Sequence, residues 1–236
     1  MNNLELIILV IMAFLPPIIY AIWIRNTEKY NPEKWKPIII CFIWGATIAV
    51  IAAIILELIL HMSLVPSIDD PNLLSLIAVI VIAPFAEELT KPLALSLKSI
   101  KKELVEIEDG LIYGAVAGLG FSATENLLYG AEFFSKGLLY FFILISIRSF
   151  GGCLLHASAT AWTGYGYGKA IMKHSSILKV IPYFILAMIV HSFYNTILSF
   201  NILGAAIGLI AALTFTAVTI FIVLNKIKKL DSMGKK

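Results

Sequence analysis

Apolar runs of about twenty residues recur along this chain, separated by short polar stretches. They cover roughly 4–24, 37–60, 72–97, 109–131, 137–162, 178–200 and 203–225. Each is long enough to cross the hydrocarbon core of a bilayer as a helix. The connections "RNTEKYNPEKWK", "HMSLVPSIDDPN", "KSIKKELVEIED", "EFFSKG", "YGYGKAIMKHSS" and "SFNILG" hold the prolines, glycines and charges that interrupt helices. The pattern predicts an all-α polytopic membrane bundle of about seven transmembrane helices, forming one domain over residues 1–236 with no solenoid-type repeat. The first run has no basic stretch before it and is too long for the apolar region of a signal peptide, so cleavage there is not expected.

Composition narrows the class. Of 236 residues, 60% are hydrophobic and 14% charged, with a mean hydropathy of +0.93, which excludes an ordinary soluble domain. Nothing in the pattern calls for nucleic acid. Fifteen of the eighteen lysines and arginines fall in the first, third and fifth connections and the C-terminal tail. Lys136 stands alone on the other side. The excess of cations on cytoplasmic loops puts the N-terminus outside and the C-terminus in the cytoplasm. Cys41 and Cys153 both sit in apolar runs and read as packing residues rather than a disulfide.

The remaining cations, Lys91 and Arg148, lie inside predicted spans, among other polar groups. The third span holds Glu87, Glu88 and Lys91, in "IAVIVIAPFAEELTKPLALSL". The fourth holds Glu125 and Asn126, the fifth Arg148 and His156, and the sixth His191 and Asn195. Ionised groups at such depth cost several kcal/mol and are functional by default. Glu87 and Lys91 are four apart, as are His191 and Asn195, so each pair shares a helix face. Gly114, Gly118 and Gly120, then Gly151, Gly152, Ala157 and Ser158, would let the helices approach closely around a polar interior. Counting rise per residue sets Glu125 and Arg148 as an outer pair, and Glu87, Glu88, His156 and His191 as an inner group. Glu57 reads as interfacial. The third to sixth helices should surround the polar pocket, with the first, second and seventh peripheral.

Carboxylates activate water as general bases, imidazoles with a carboxylate make a catalytic zinc site with an open position, and an amide can donate to an oxyanion. These are parts for hydrolysis inside a membrane, on a membrane-protein or membrane-bound peptide substrate. In this reading Glu87 is the base, His156, His191 and Glu88 are candidate zinc ligands, Asn195 serves the oxyanion, and Lys91, Asn126 and Arg148 support. The same residues also suffice without a metal. The bland reading makes Glu87, Glu88 and Lys91 a structural lock between helices, and Glu125 with Arg148 a buried ion pair.

The residues "EELTK", "GFSATENLLY", a lone histidine in the next helix and "HSFYN", in order over about 72–200, resemble the PrsW family of intramembrane proteases. That family sits in the wider CAAX-protease and bacteriocin-processing superfamily, which includes APH. The CAAX-type pattern has EExxxR and FxxxH; this chain has EExxK and Glu125 at the second position, as the PrsW branch does. The resemblance implies Glu87 and Glu88 as catalytic carboxylates, His156 and His191 as further site residues, and site-1 cleavage of single-span proteins such as anti-sigma factors; Glu125, at the second motif position, is a further catalytic candidate. A proton-coupled transporter and a non-catalytic membrane scaffold of the same superfamily are the competing readings.

Overall fold

The computed structural model describes residues 3–200 and 204–234. Lys235 and Lys236 of the cationic tail and residues 201–203 of the last connection lie outside the described residues. Seven long helices follow the predicted order: α1 Asn3–Arg25, α2 Trp35–Ser67, α3 Pro71–Ser96, α4 Ile107–Phe134, α5 Leu138–Met172, α6 Ile177–Ser199 and α7 Ala205–Gly234. A single turn, Lys98–Lys101, interrupts the α3–α4 connection. Among the described residues all regular structure is helical.

Six of the seven helices are long and apolar enough to cross a membrane; α4 is the exception. This corrects the equal treatment of the seven runs, and burial explains it. Every residue from 108 to 123 is buried, so α4 meets protein on all sides and needs no lipid-facing stripe. Its composition reflects contact with other helices, hence the glycines and the polar groups Ser122 and Asn126. The outer faces of α1, α2, α6 and α7 instead expose large apolar side chains such as Ile19, Ile55, Ile189 and Phe221, as a lipid-facing surface requires.

α4 is the centre of the bundle. It packs most extensively on α5, and also on α1 and α2, so α1 and α2 are not peripheral as expected. The core combines Leu111, Val116 and Leu119 of α4 with Ile24, Ile38, Val223 and Ile227 from the surrounding helices. The α4–α5 contact is backbone against backbone. A Cβ on Gly110 would overlap the carbonyl of Gly164, and one on Gly118 would overlap the carbonyl of His156. Each glycine costs about 1 kcal/mol of helix propensity relative to alanine, and close packing between helices offsets it.

The cation-rich connections meet at one end. Asp231 of α7 accepts from the backbone N–H groups of Lys29 and Tyr30 at 3.0 and 3.1 Å, and Lys34 pairs with Glu103 at 2.9 Å. α5 runs ten residues past its expected end at 162, and Gly168 there lies against the Ile107 backbone. Cys41 and Cys153 are free and buried.

Gly118→Ala should lower the thermal unfolding midpoint of the detergent-solubilised chain, by overpacking worth about 1–3 kcal/mol. Gly208→Ala should leave it unchanged, since a Cβ there meets its nearest atom at an ordinary 3.5 Å.

Candidate active site

The local fold of α3 prepares the site. Residues Ala78–Ile82 form a π-helical turn, closed by the Ala83 N–H donating to the Ala78 carbonyl. The next amide in that pattern would donate to Val79, but residue 84 is proline and has no N–H. The Asn195 amide of α6 donates to the Val79 carbonyl instead, at 2.9 Å. A helix interrupted this way turns its following residues relative to its first half. Glu87, Glu88 and Lys91 follow within two turns, and Pro92 then passes the chain into a 3₁₀ stretch, Lys91–Ser96.

Lys91 is the hub. Its side chain is 0% exposed, and its Nζ donates to Glu87 Oε2 at 2.7 Å, to Glu88 Oε1 at 2.9 Å and to His156 Nδ1 at 2.8 Å. The Phe121 ring lies 4.3 Å from the ammonium. An ammonium only donates, so His156 Nδ1 accepts and the ring proton sits on Nε2. That nitrogen lies 2.7 Å from Glu125 Oε2, which is also 3.0 Å from Arg148 Nη2. Arg148 Nε donates to Asn126 Oδ1 at 2.9 Å, and its guanidinium stacks on Tyr129. The expected Arg148–Glu125 contact is therefore present, but the division into outer and inner layers is not: His156 joins both into one network.

The two adjacent glutamates have different surroundings. Glu88 is 0% exposed; its Oε1 also receives His191 Nδ1 at 3.0 Å, and its Oε2 accepts from Thr160 at 2.8 Å. Glu87 is slightly open and lines a cavity of ≈ 400 Å³ with Glu125, Arg148, His156, His191 and Asn195. An adjoining hollow between α2, α3 and α4 shares Glu87 and Glu125 and adds Glu57, so Glu57 is a wall residue rather than only interfacial. Sequence reasoning missed Thr160 and Tyr129. Each lies four residues after a named site residue, His156 and Glu125, and helical spacing alone would have flagged them.

Metal-binding chemistry fits a trio other than the expected one. Glu87, His156 and His191 each present a ligand atom within 4.8 Å of the others, whereas both Glu88 oxygens are engaged. Each histidine has one ring nitrogen against a carboxylate, Glu125 or Glu88, the outer support typical of metal-ligating imidazoles. Lys91 Nζ contacts two of the three ligand side chains, so an ion there would compete with the ammonium. Counted as charged side chains, three carboxylates face two cations, leaving one negative charge in excess.

A family profile described as PrsW family intramembrane metalloprotease matches residues 33–224. Protease PrsW of Clostridioides difficile (strain 630) is 31% identical over 122 residues, which is 51% of this chain and 50% of that protein. The matched stretch thus spans about half of that relative's length. No solved structure matches.

Asn195→Leu should remove the side-chain partner of the Val79 carbonyl and lower stability by about 0.5–1.5 kcal/mol, read as a drop in unfolding midpoint in detergent. If the π-turn tolerates the change without loss, Asn195 is not its brace.

Proposed function

This chain belongs to the PrsW family of intramembrane metalloproteases, and on that premise we propose that it hydrolyses a peptide bond of a membrane-protein substrate in the cavity between α3, α4, α5 and α6. The whole chain serves as one transmembrane domain, with its catalytic core at about 72–200. The observation that carries this reading is the contrast between Glu87 and Glu88: adjacent carboxylates, one facing a polar cavity and the other enclosed.

Glu87 is the general base. Its Oε2 is fixed by Lys91, and the carboxylate faces the space a water and a scissile carbonyl would share. A base held by neighbours in one orientation needs little rearrangement to take the proton. Arg148 and the second N–H of the Asn195 amide are the donors on the cavity wall for the developing oxyanion; the first N–H is engaged by Val79. Glu87, protonated in that step, returns the proton to the leaving amine, and His156, held between Lys91 and Glu125, fixes the network beside it. Glu88, with Thr160 and His191, holds Lys91 and the imidazole in register.

The family description favours a second arrangement of the same residues. Glu87, His156 and His191 would hold a zinc ion, which when bound supplies a Lewis acid and an acidified water. Glu125 is then the carboxylate left on the cavity wall to take the proton.

The cavity wall extends to Phe133 and Ser199, toward the Lys136 end of the bundle. With the positive-inside orientation, N-terminus outside and C-terminus cytoplasmic, that end is extracytoplasmic. This supports a site-1 type of cut, near the outer membrane face of a single-span protein such as an anti-sigma factor. The relation to the CAAX-protease and APH superfamily belongs to this reading as well. A proton-coupled transporter or a silent scaffold is disfavoured by family membership.

The test is cleavage of a single-span reporter in liposomes. Wild-type chain should cut, and Glu87→Gln should abolish cutting while the chain still folds, read as a cooperative unfolding transition, even though Lys91 loses one of its partners. Near-normal turnover of Glu87→Gln, with or without added zinc, would reject the site. Metal analysis of chain purified without chelator decides between the two arrangements: about one zinc per chain, with activity lost to chelator, assigns the trio as ligands. No zinc and chelator-resistant cleavage leaves Glu87 as base.

A further inference from the structure

The end of the bundle opposite the cavity carries a second group of acids that the proposed hydrolysis does not use. Glu28 comes from the α1–α2 connection, and Glu106 and Asp109 from the start of α4. Each offers a carboxylate oxygen within 4.8 Å of the other two. Glu28 is 3% and Asp109 1% exposed. Both oxygens of Glu28 and Oδ1 of Asp109 are buried without any hydrogen-bond partner, and so is Oε1 of the neighbouring Glu33. The other oxygens in the cluster are used. Asp109 Oδ2 accepts from the Val105 and Glu106 amides at 2.6 and 2.8 Å, and Glu33 Oε2 accepts from the Tyr113 hydroxyl.

Among the described residues no lysine or arginine side chain pairs with Glu28, Glu33, Glu106 or Asp109. Lys34, next to Glu33, turns outward to Glu103, and Arg25 donates to the Glu33 backbone carbonyl rather than to a carboxylate. Buried anionic oxygens without partners cost free energy unless a cation or a proton compensates them.

We propose that Glu28, Glu106 and Asp109 bind a hard divalent cation, Mg²⁺ or Ca²⁺, which clamps the α1–α2 connection to the start of the central helix α4. The donor set is oxygen only, which suits these ions and not a soft one. The unpartnered Glu28 oxygens are free to serve as ligands, and the ion joins segments about eighty residues apart in sequence. Asp231, beside Glu28, already ties α7 to the same connection through the Lys29 and Tyr30 amides, so the ion would complete a fastening of α1, α4 and α7. Without a cation, burial and the facing acids Asp109, Asp231, Glu106 and Glu108 push the Glu28 carboxyl up to about 8, and burial with Asp109 pushes Glu33 up to about 9. A proton-filled cluster is therefore the competing state.

The full chain in detergent, stripped with chelator at neutral pH and then freed of it, is titrated with MgCl₂, CaCl₂ or choline chloride at matched ionic strength while its unfolding midpoint is read. A saturable rise with one or both divalent salts, absent with choline, is expected, and its size ranks the two ions. The midpoint concentration should increase at least about tenfold in Glu28→Gln and in Asp109→Asn. It should not move in Glu87→Gln, which removes the cavity trio. A response to the divalent salts no larger than to choline, or one retained in Glu28→Gln, overturns the site and leaves the cluster as a proton store.

Discussion

A single ammonium, Lys91 Nζ, buried beyond the reach of solvent and bonded to Glu87, Glu88 and His156, is the interaction on which the rest of the site depends. A lone buried charge of this kind is untenable; surrounded by two carboxylates, an imidazole and an aromatic face, it becomes an anchor. Removing it would leave carboxylates that three helices have been arranged around. The same bonds fix the tautomer of His156, and so direct its Nε2 to Glu125 and through it to Arg148. One cation thus orders a chain of groups drawn from α3, α4 and α5, with α6 joined through His191.

Close helix approach makes this possible. Gly118 of α4 lies against the backbone of His156 itself, so the helix that carries Glu125 and the helix that carries its histidine touch with no side chain between them. From 108 to 123 α4 in turn is enclosed by other helices. One end of it contributes to the cavity through Glu125, Tyr129 and Phe133, and the other carries Glu106 and Asp109 to the acidic cluster. The helix that looks least like a membrane span by composition is the one the others are built around.

Much of this was legible in the chain. Apolar run length revealed the seven helices, and intramembrane charge identified Glu87, Glu88, Lys91, Glu125 and Arg148 as one population. Helical spacing anticipated that Glu87 and Lys91 share a face. What depends on rotation and depth was not legible. Rise per residue misjudged the layering because it places backbones and not side-chain tips: Arg148 and His156 lie on one helix at different depths, yet both reach Glu125 Oε2, and the π-turn at Ala78–Ile82 is likewise invisible as a spacing. The same turn engages Asn195 with the Val79 carbonyl, a role that no pairing rule on α6 suggests. The inequality of Glu87 and Glu88 is invisible to sequence, since neighbours on one helix differ only in what packs beside them; here Thr160 and His191 enclose one and leave the other facing the cavity. The acidic cluster escaped notice because its members lie in polar connections, where carboxylates look solvated until α7 folds over them.

The central claim is that Lys91 and Glu88 act as one structural unit that holds Glu87 ready at the cavity. A double-mutant cycle tests it most directly, with reversible unfolding in mixed micelles measured for wild type, Lys91→Met, Glu88→Gln and the double variant. The account predicts that each single change is strongly destabilising, because each leaves the other charge less compensated, and that the double variant recovers part of the loss, with a coupling of about 2 kcal/mol or more. Additive losses, within about 0.5 kcal/mol, would contradict it.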